Sequence, residues 1–159
     1  MLTYRNLCEN DCDFILQNWV GHSVVFSDGL RKNDLLAMIA AMNTKKHNGN
    51  YYEMFGILSE GILVGTFSFY QQEQNIQESA VYLGIEIAKG SRGRGLATNT
   101  AHIAVEIARE KGFAKILSQA RVSNTASVKL HKKCGFEIVD KAVSANGHEV
   151  YNYVRWLYE

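Results

Sequence analysis

Between residues 90 and 98 the chain reads Gly90-Ser91-Arg92-Gly93-Arg94-Gly95-Leu96-Ala97-Thr98. A turn of this kind ahead of a helix can bind phosphate. Helix N-termini present unpaired backbone N–H groups and a partial positive charge, and glycines let an anion approach the backbone without a side chain in the way. Arg92 and Arg94 add positive charge beside it. A tight turn that merely needs glycine reads the same way, so the segment must be tested against named motifs. A Walker loop fails because no Gly-Lys-Ser/Thr follows. A dinucleotide fingerprint fits poorly, because the segment follows an antiparallel meander instead of opening the chain.

Other residues invite chemistry less strongly. Asn124 can cap a helix that has Ser127 at its third position. Strand alternation puts Tyr82, Gly84 and Glu86 on one face, with Leu83, Ile85 and Ile87 on the other. A carboxylate such as Glu86 on an inner strand is costly unless it is paired or faces a wet cleft. His22, His47, His102 and His148 lack metal-ligand spacing, and Cys8 and Cys12 have no second pair nearby to complete a site, so no metal is expected. Trp19, Trp156 and the tyrosines are read as core or interface.

The elements that must position these residues follow from periodicity and turn chemistry. Residues 2–7 read as a strand. Asn10 or Asp11 can cap a helix carrying Phe14, Ile15, Trp19 and Val20, and Gly21 to Lys32 reads as loop. Asn33 or Asp34 can cap a second helix with Leu35, Leu36, Met38, Ile39 and Met42 as its buried stripe. Asn43 to Asn50 is turn-like. Strands 52–58 and 62–70 flank Ser59-Glu60-Gly61 as a hairpin, polar 71–78 follows, and 79–88 is the next strand. A helix from about Gly95 to Lys111, with Leu96, Ala104, Ile103, Ile107 and Ala108 as its packed face, ends at Gly112; strand 113–121 follows. A second helix over 125–133 ends at Gly135, and strand 136–143 follows. Both helices leave through a glycine followed by phenylalanine, a left-handed C-cap and an apolar strand start. Strand–helix–strand at this length makes a right-handed parallel pair. Asn146-Gly147 then joins 136–143 to 148–157 as a hairpin. The expected fold is α/β (α+β): a mixed sheet, antiparallel at both ends and parallel in the middle, flanked by helices, in one domain over residues 1–159.

Composition narrows the classes. The 159 residues carry 17 Lys+Arg against 16 Asp+Glu, a balance that argues against a general nucleic-acid or anionic-membrane binder. No apolar run reaches the roughly 18 residues of a membrane span, and the first residues lack the apolar stretch of a signal peptide. Three cysteines, an odd number, are read as reduced thiols, and a cytoplasmic location is expected.

Arg92-Gly93-Arg94-Gly95-Leu96-Ala97 resembles the Arg/Gln-x-x-Gly-x-Gly/Ala signature of the GNAT superfamily of acetyl-CoA-dependent N-acetyltransferases. Asn124-Thr125-Ala126-Ser127-Val128-Lys129-Leu130-His131-Lys132-Lys133-Cys134-Gly135-Phe136 resembles that family's second signature, and the order of elements matches as well. The resemblance implies a GNAT-like sheet with a splayed parallel central pair. It also implies acetyl-CoA as co-substrate, with its pyrophosphate on the backbone of Arg92, Gly93, Arg94, Gly95, Leu96, Ala97 and Thr98. Its pantetheine arm would lie along the strand backbone around Ile85 and Ile87, and Asn124 and Ser127 would contact the coenzyme. By the same resemblance Glu86 is the base that takes the amine proton, with Tyr151 and Tyr153 as weaker alternatives. His131 stands where the family often has a tyrosine that protonates the leaving thiolate. A place in the last helical turn favours its charged form, and Lys132 and Lys133 oppose it.

The expected activity is direct transfer of acetyl to a primary amine in a ternary complex. A covalent route through Cys134 is disfavoured for want of a His–acid relay beside it in the sequence. The acceptor stays open among a small amine, an amino acid and a protein N-terminus, and the chain is expected as monomer or homodimer. Two rivals remain: an acetyl-CoA sensor without turnover, and a nucleotide-phosphate binder using the same turn.

Overall fold

Strand β1 (Leu2–Asn6) pairs antiparallel with β3 (Asn50–Ser59), from Leu2–Ser59 to Asn6–Phe55. The computed structural model describes residues 1–20, 26–47 and 49–158, with nothing stated of the His47 side chain. The part of the expected loop at 21–25, with His22, lies outside the described residues. The chain divides into two compact units, interleaved in sequence: Met1–Tyr70 with Ile85–Leu96, and Gln71–Gly84 with Ala97–Glu159.

In the first unit β3 continues through the 59–61 turn into β4 (Ile62–Tyr70), with an irregularity between Ile57 and Leu58. Two helices precede this hairpin, α1 (Cys12–Asn18) and α2 (Lys32–Asn43). Cys12, Ile15 and Trp19 recur at helical spacing, as do Leu35, Ile39 and Met42, and these buried residues join Leu7, Met54, Leu58 and Leu63 in one core. Phe55, on the other face of β3, stacks on Phe67 of β4 at 4.6 Å, and Tyr4 meets Phe67 edge-on at 5.7 Å.

The helix starts match expectation in part. Asp11 is the N-cap of α1, as expected, but it also closes a single 3-10 turn, Glu9–Asp11, is buried, and makes no side-chain cap bond to α1. Its carboxylate accepts the Cys8 N–H at 2.9 Å and both Arg5 terminal nitrogens at 2.8 and 2.9 Å. Asp34, by contrast, does not occupy the cap of α2; from the first turn it accepts the N–H of Arg31, the true N-cap, at 3.2 Å. The polar stretch 43–50 holds a two-residue strand, β2 (Lys46–His47), paired with β3.

The second unit begins with a four-residue helix, α3 (Glu73–Ile76), inside the segment read as loop. Asn75 is buried there and accepts the Gln72 N–H at 2.8 Å. Strand β5 (Ala80–Ile87) runs through both units. Its first residues pair in parallel with β6 (Lys115–Arg121), from Ala80–Lys115 to Tyr82–Leu117, and the register ends there. Between them lies α4 (Leu96–Glu110). Its buried residues are Leu96, Thr100, Ala101, Ala104, Val105 and Ala108, whereas Ile103 is exposed. The expected stripe is thus rotated, because small alanines rather than isoleucines make the close approach. Helix α5 (Thr125–Lys133) follows, then β7 (Glu137–Val143) and β8 (Glu149–Trp156). Gly112 and Gly135 end the two helices at positive φ, and the Phe113 and Phe136 N–H groups reach back to Ala108 O and His131 O.

The strand order is β1-β3-β4-β5-β6-β8-β7, with β2 on β3. This is the expected mixed sheet, with one difference: β6 and β7 are not neighbours, because β8 inserts between them and pairs antiparallel with each.

Candidate active site

The 90–98 segment falls where the sequence places it, between the end of β5 and the start of α4. A 3-10 turn over Lys89–Ser91 leads out of the strand, and Gly93 and Gly95 take φ of +81° and +73°. L-residues resist that region, and a Cβ at either glycine would meet nothing within 4 Å. The left-handed turns therefore deliver the chain into α4 with its outer side bare. Arg94 is exposed. Arg92 folds back, its Nε donating to Ile87 O at 3.0 Å.

That contact corrects part of the expectation for β5. The Ala88 N–H donates to Val64 O of β4 at 2.8 Å, and Glu86 O lies so near Gly65 that a Cβ there would sit 2.6 Å away. Residues 86 and 88 therefore address β4, and alternation turns the amide and carbonyl of Ile85 and Ile87 to the opposite edge. The parallel register with β6 has already ended, at Tyr82. Ile85 and Ile87 thus turn their backbone groups away from β4, and the Ile87 carbonyl is held by Arg92.

Glu86 is half-buried and lines a cleft of about 510 Å³ within the first unit, with Phe14 and Asn18 of α1, Trp19 at its C-cap, and residues 88–91. The carboxylate therefore belongs to a residue on a cleft wall rather than one sealed in the core.

Asn124 is the N-cap of α5, its Oδ1 accepting the Ser127 N–H at 3.1 Å, and it is exposed. Ser127 offers its carbonyl to His131 Nδ1 at 2.7 Å. A carbonyl only accepts, so Nδ1 carries the proton. Nε2, 2.8 Å from Ser118 Oγ, then accepts from that hydroxyl. His131 is 6% exposed and stacks on Tyr153 at 4.1 Å. Burial pushes its pKa below the ordinary histidine value, and the Ser127 carbonyl only partly opposes this. The expectation that the helix end favours the charged form is overturned: desolvation outweighs the helix dipole, and His131 is a neutral, doubly bonded core residue.

Tyr153 is buried opposite Ser118 across β6 and β8, burial raises its pKa, and its hydroxyl finds no partner among the described residues. Tyr151 meets it edge-on at 6.2 Å. Neither Ser118 nor the unpartnered Tyr153 hydroxyl was legible in the sequence, since nothing local marks a residue that a neighbouring strand brings beside a helix.

All three cysteines are free thiols. Cys134 is buried, with Sγ 4.0 Å from His102 Nε2, a neighbour the sequence did not reveal. Burial pushes its thiol pKa up, which opposes a nucleophilic role. Among the described residues no cluster of three or more His, Cys, Asp or Glu could hold a metal, and no helix is long and apolar enough to cross a membrane.

Gly93 and Gly95 open α4 and Asn124 caps α5, so each of the two sequence signatures lies at the start of a helix. The family model for the acetyltransferase (GNAT) domain matches residues 1–137, and the chain belongs to that family. An uncharacterized N-acetyltransferase of Escherichia coli (strain K12), YjgM, is 37% identical over 57 residues, 36% of this chain and 34% of that protein's length. An N-acetyltransferase from Staphylococcus aureus Mu50 has a TM-score of 0.76 at 18% identity, covering 99% of each chain. A putative acetyltransferase from Salmonella typhimurium, yncA, solved with its cofactor acetyl-CoA, has a TM-score of 0.75 at 19% identity, covering 100% of this chain and 95% of that one. Mutant forms of the spermidine/spermine N-acetyltransferase SpeG from Vibrio cholerae score 0.75 at 21% identity, over 99% and 95%.

Proposed function

We propose that the protein transfers the acetyl group of acetyl-CoA to a primary amine by direct attack in a ternary complex. The observation that carries this reading is the bare left-handed turn at Gly93 and Gly95 opening onto α4. Family membership and the Salmonella neighbour solved with acetyl-CoA support it.

Backbone N–H groups from Arg92 to Thr98 hold the diphosphate, and Arg94 screens its charge. The outward groups of Ile85 and the Ile87 N–H pair with the amide-rich arm as a strand would, and one of these N–H groups takes the charge developing on the thioester oxygen. Asn124 keeps its cap and offers its amide nitrogen, and Ser127 its hydroxyl, to the coenzyme. Glu86, directly or through water, accepts the proton that the amine sheds as its nitrogen bonds to the acetyl carbon. The C–S bond breaks, and the thiolate takes a proton from solvent. His131 stays neutral and holds Ser118. The setting for this chemistry is the cytoplasm.

A second reading, a sensor that binds acetyl-CoA without turnover, is favoured by the commitment of both His131 nitrogens. An amine panel with acetyl-CoA, read as liberated thiol, separates the two. Steady release establishes transfer, and tight binding with no release for any amine refutes it.

A further inference from the structure

The cleft that Glu86 lines also carries information about the acceptor. Its wall is largely apolar: Phe14 from α1, Trp19 at the C-cap of α1, Ile62 and Val64 from β4, and Ile87 from β5. Among its described residues the charged groups are Glu86 and Lys89, one of each sign. A space of about 510 Å³ suits a small molecule, and such sites pair an apolar lining with a few polar groups that fix orientation. A polyamine carries several ammonium groups, and each one buried needs a carboxylate or retained water. This wall supplies one carboxylate and sets a lysine close to it in sequence.

From these observations we infer that the acceptor is a primary monoamine on an alkyl or arylalkyl chain. Its nitrogen is directed to Glu86 and its chain packs on Phe14, Trp19 and Ile62. The inference rests on the transfer reading, in which Glu86 takes the amine proton. It sets this chain apart from its Vibrio cholerae neighbour, whose name specifies spermidine and spermine.

The test is a homologous series from ethylamine to hexylamine, with spermidine and a neutral-side-chain dipeptide as comparators. Burying each added methylene lowers KM about fourfold, so hexylamine falls roughly two orders of magnitude below ethylamine. Phe14→Ala raises KM for hexylamine about tenfold and leaves ethylamine within about twofold. A second readout needs no turnover. The sequence has two tryptophans, and in a Trp156→Phe variant excited at the red edge, where tyrosine does not absorb, Trp19 alone emits. Hexylamine added to that variant with coenzyme A changes the Trp19 emission in a saturable way. A flat series, a spermidine or dipeptide KM tenfold below that of hexylamine, or Trp19 emission indifferent to an amine that is turned over overturns the inference while transfer stands. If Trp19 responds but no amine is acetylated, the ligand class stands and the transfer reading falls. Silence in both overturns both.

Discussion

Gly95→Ala separates what the turn does for the fold from what it does for a ligand. Gly95 sits at φ +73° with nothing within 4 Å of an added Cβ, so the methyl meets no protein atom. The fold bears only the left-handed penalty of an L-residue, about 1–2 kcal/mol. For a chain of this size that lowers Tm by roughly 2–8 °C. Gly147, at φ +82° with equally open surroundings in the β7–β8 turn, is the matched control. Gly147→Ala carries the same strain and lies far along the chain from the turn. In the proposed complex, however, a diphosphate on the 92–98 backbone would occupy the space the new methyl enters. Losing one charge-assisted N–H contact costs about 1.5–3 kcal/mol, which weakens coenzyme A binding by roughly 10- to 150-fold. Calorimetric titration with coenzyme A, beside thermal unfolding without ligand, reads both quantities. Similar Tm losses with a large affinity loss only for Gly95→Ala is the expected result. Unchanged coenzyme A affinity in Gly95→Ala refutes the anion-binding role of the turn.

Three further outcomes follow from the electrostatics. Burial depresses the His131 pKa, so the unfolded chain takes up a proton near pH 6.5 that the folded chain resists; stability is full above that pH and declines toward pH 5. His131→Phe removes this component in urea unfolding between pH 5.5 and 7.5, costs about 1–3 kcal/mol at pH 7 because Ser118 loses its partner, and leaves turnover at saturating amine unchanged across roughly pH 6–9. Burial alone would raise the Asp11 pKa, but its hydrogen bonds to Arg5 and Cys8 lower it on balance, so its contribution is present above the unfolded value near 3.9 and is lost as pH falls through and below it. Asp11→Asn therefore lowers stability by about 2–3 kcal/mol at pH 7, below the cost of breaking a fully buried pair because Arg5 stays 43% exposed, and the gap between the variants narrows at pH 3. With its thiol pKa raised, Cys134 reacts with iodoacetamide more slowly than half-exposed Cys8, as peptide mass mapping would read, and Cys134→Ala keeps full turnover.

The parts legible in the sequence are those fixed within a few residues. The Gly93–Gly95 turn, the bounds of α5 at 125–133 and the two glycine–phenylalanine exits are local events, and they fell within a residue or so of expectation. The parallel pairing of β5 with β6 followed from connection length and handedness. Features set by distant partners were not legible. The insertion of β8 between β6 and β7 depends on which edge the last hairpin finds, and no turn residue encodes that. Asp11 reads as a cap and is one, but its grip by Arg5, on β1, is not written beside it in the sequence. The candidate site divides the same way: the positive-φ turn ahead of α4 was legible locally, while the charge state of His131 was misjudged because sequence shows the helix end but not the strands that bury it.

The change from tyrosine, common at this place in the family, to a neutral histidine bears on how much the reaction needs an acid. A thiol with a pKa near 8.5 is about 1.5 units above neutral pH, so protonating the departed thiolate at pH 7 is worth about 2 kcal/mol, roughly a 30-fold factor. That lies below the 10²–10⁴-fold range usual for general acid catalysis. An amine leaving group, far more basic, could not depart unprotonated; a thiolate can. In the proposed reaction, positioning, an oxyanion contact on β5 and removal of the amine proton at Glu86 would carry the greater share of the barrier. Spending position 131 on holding Ser118 would then give up the smallest of these contributions. On this reasoning Glu86→Gln lowers kcat at pH 7 by at least 10²-fold, whereas His131→Phe changes it by less than about threefold. Steady-state thiol release from the two variants measures the ranking, and a larger loss at His131 than at Glu86 reverses it.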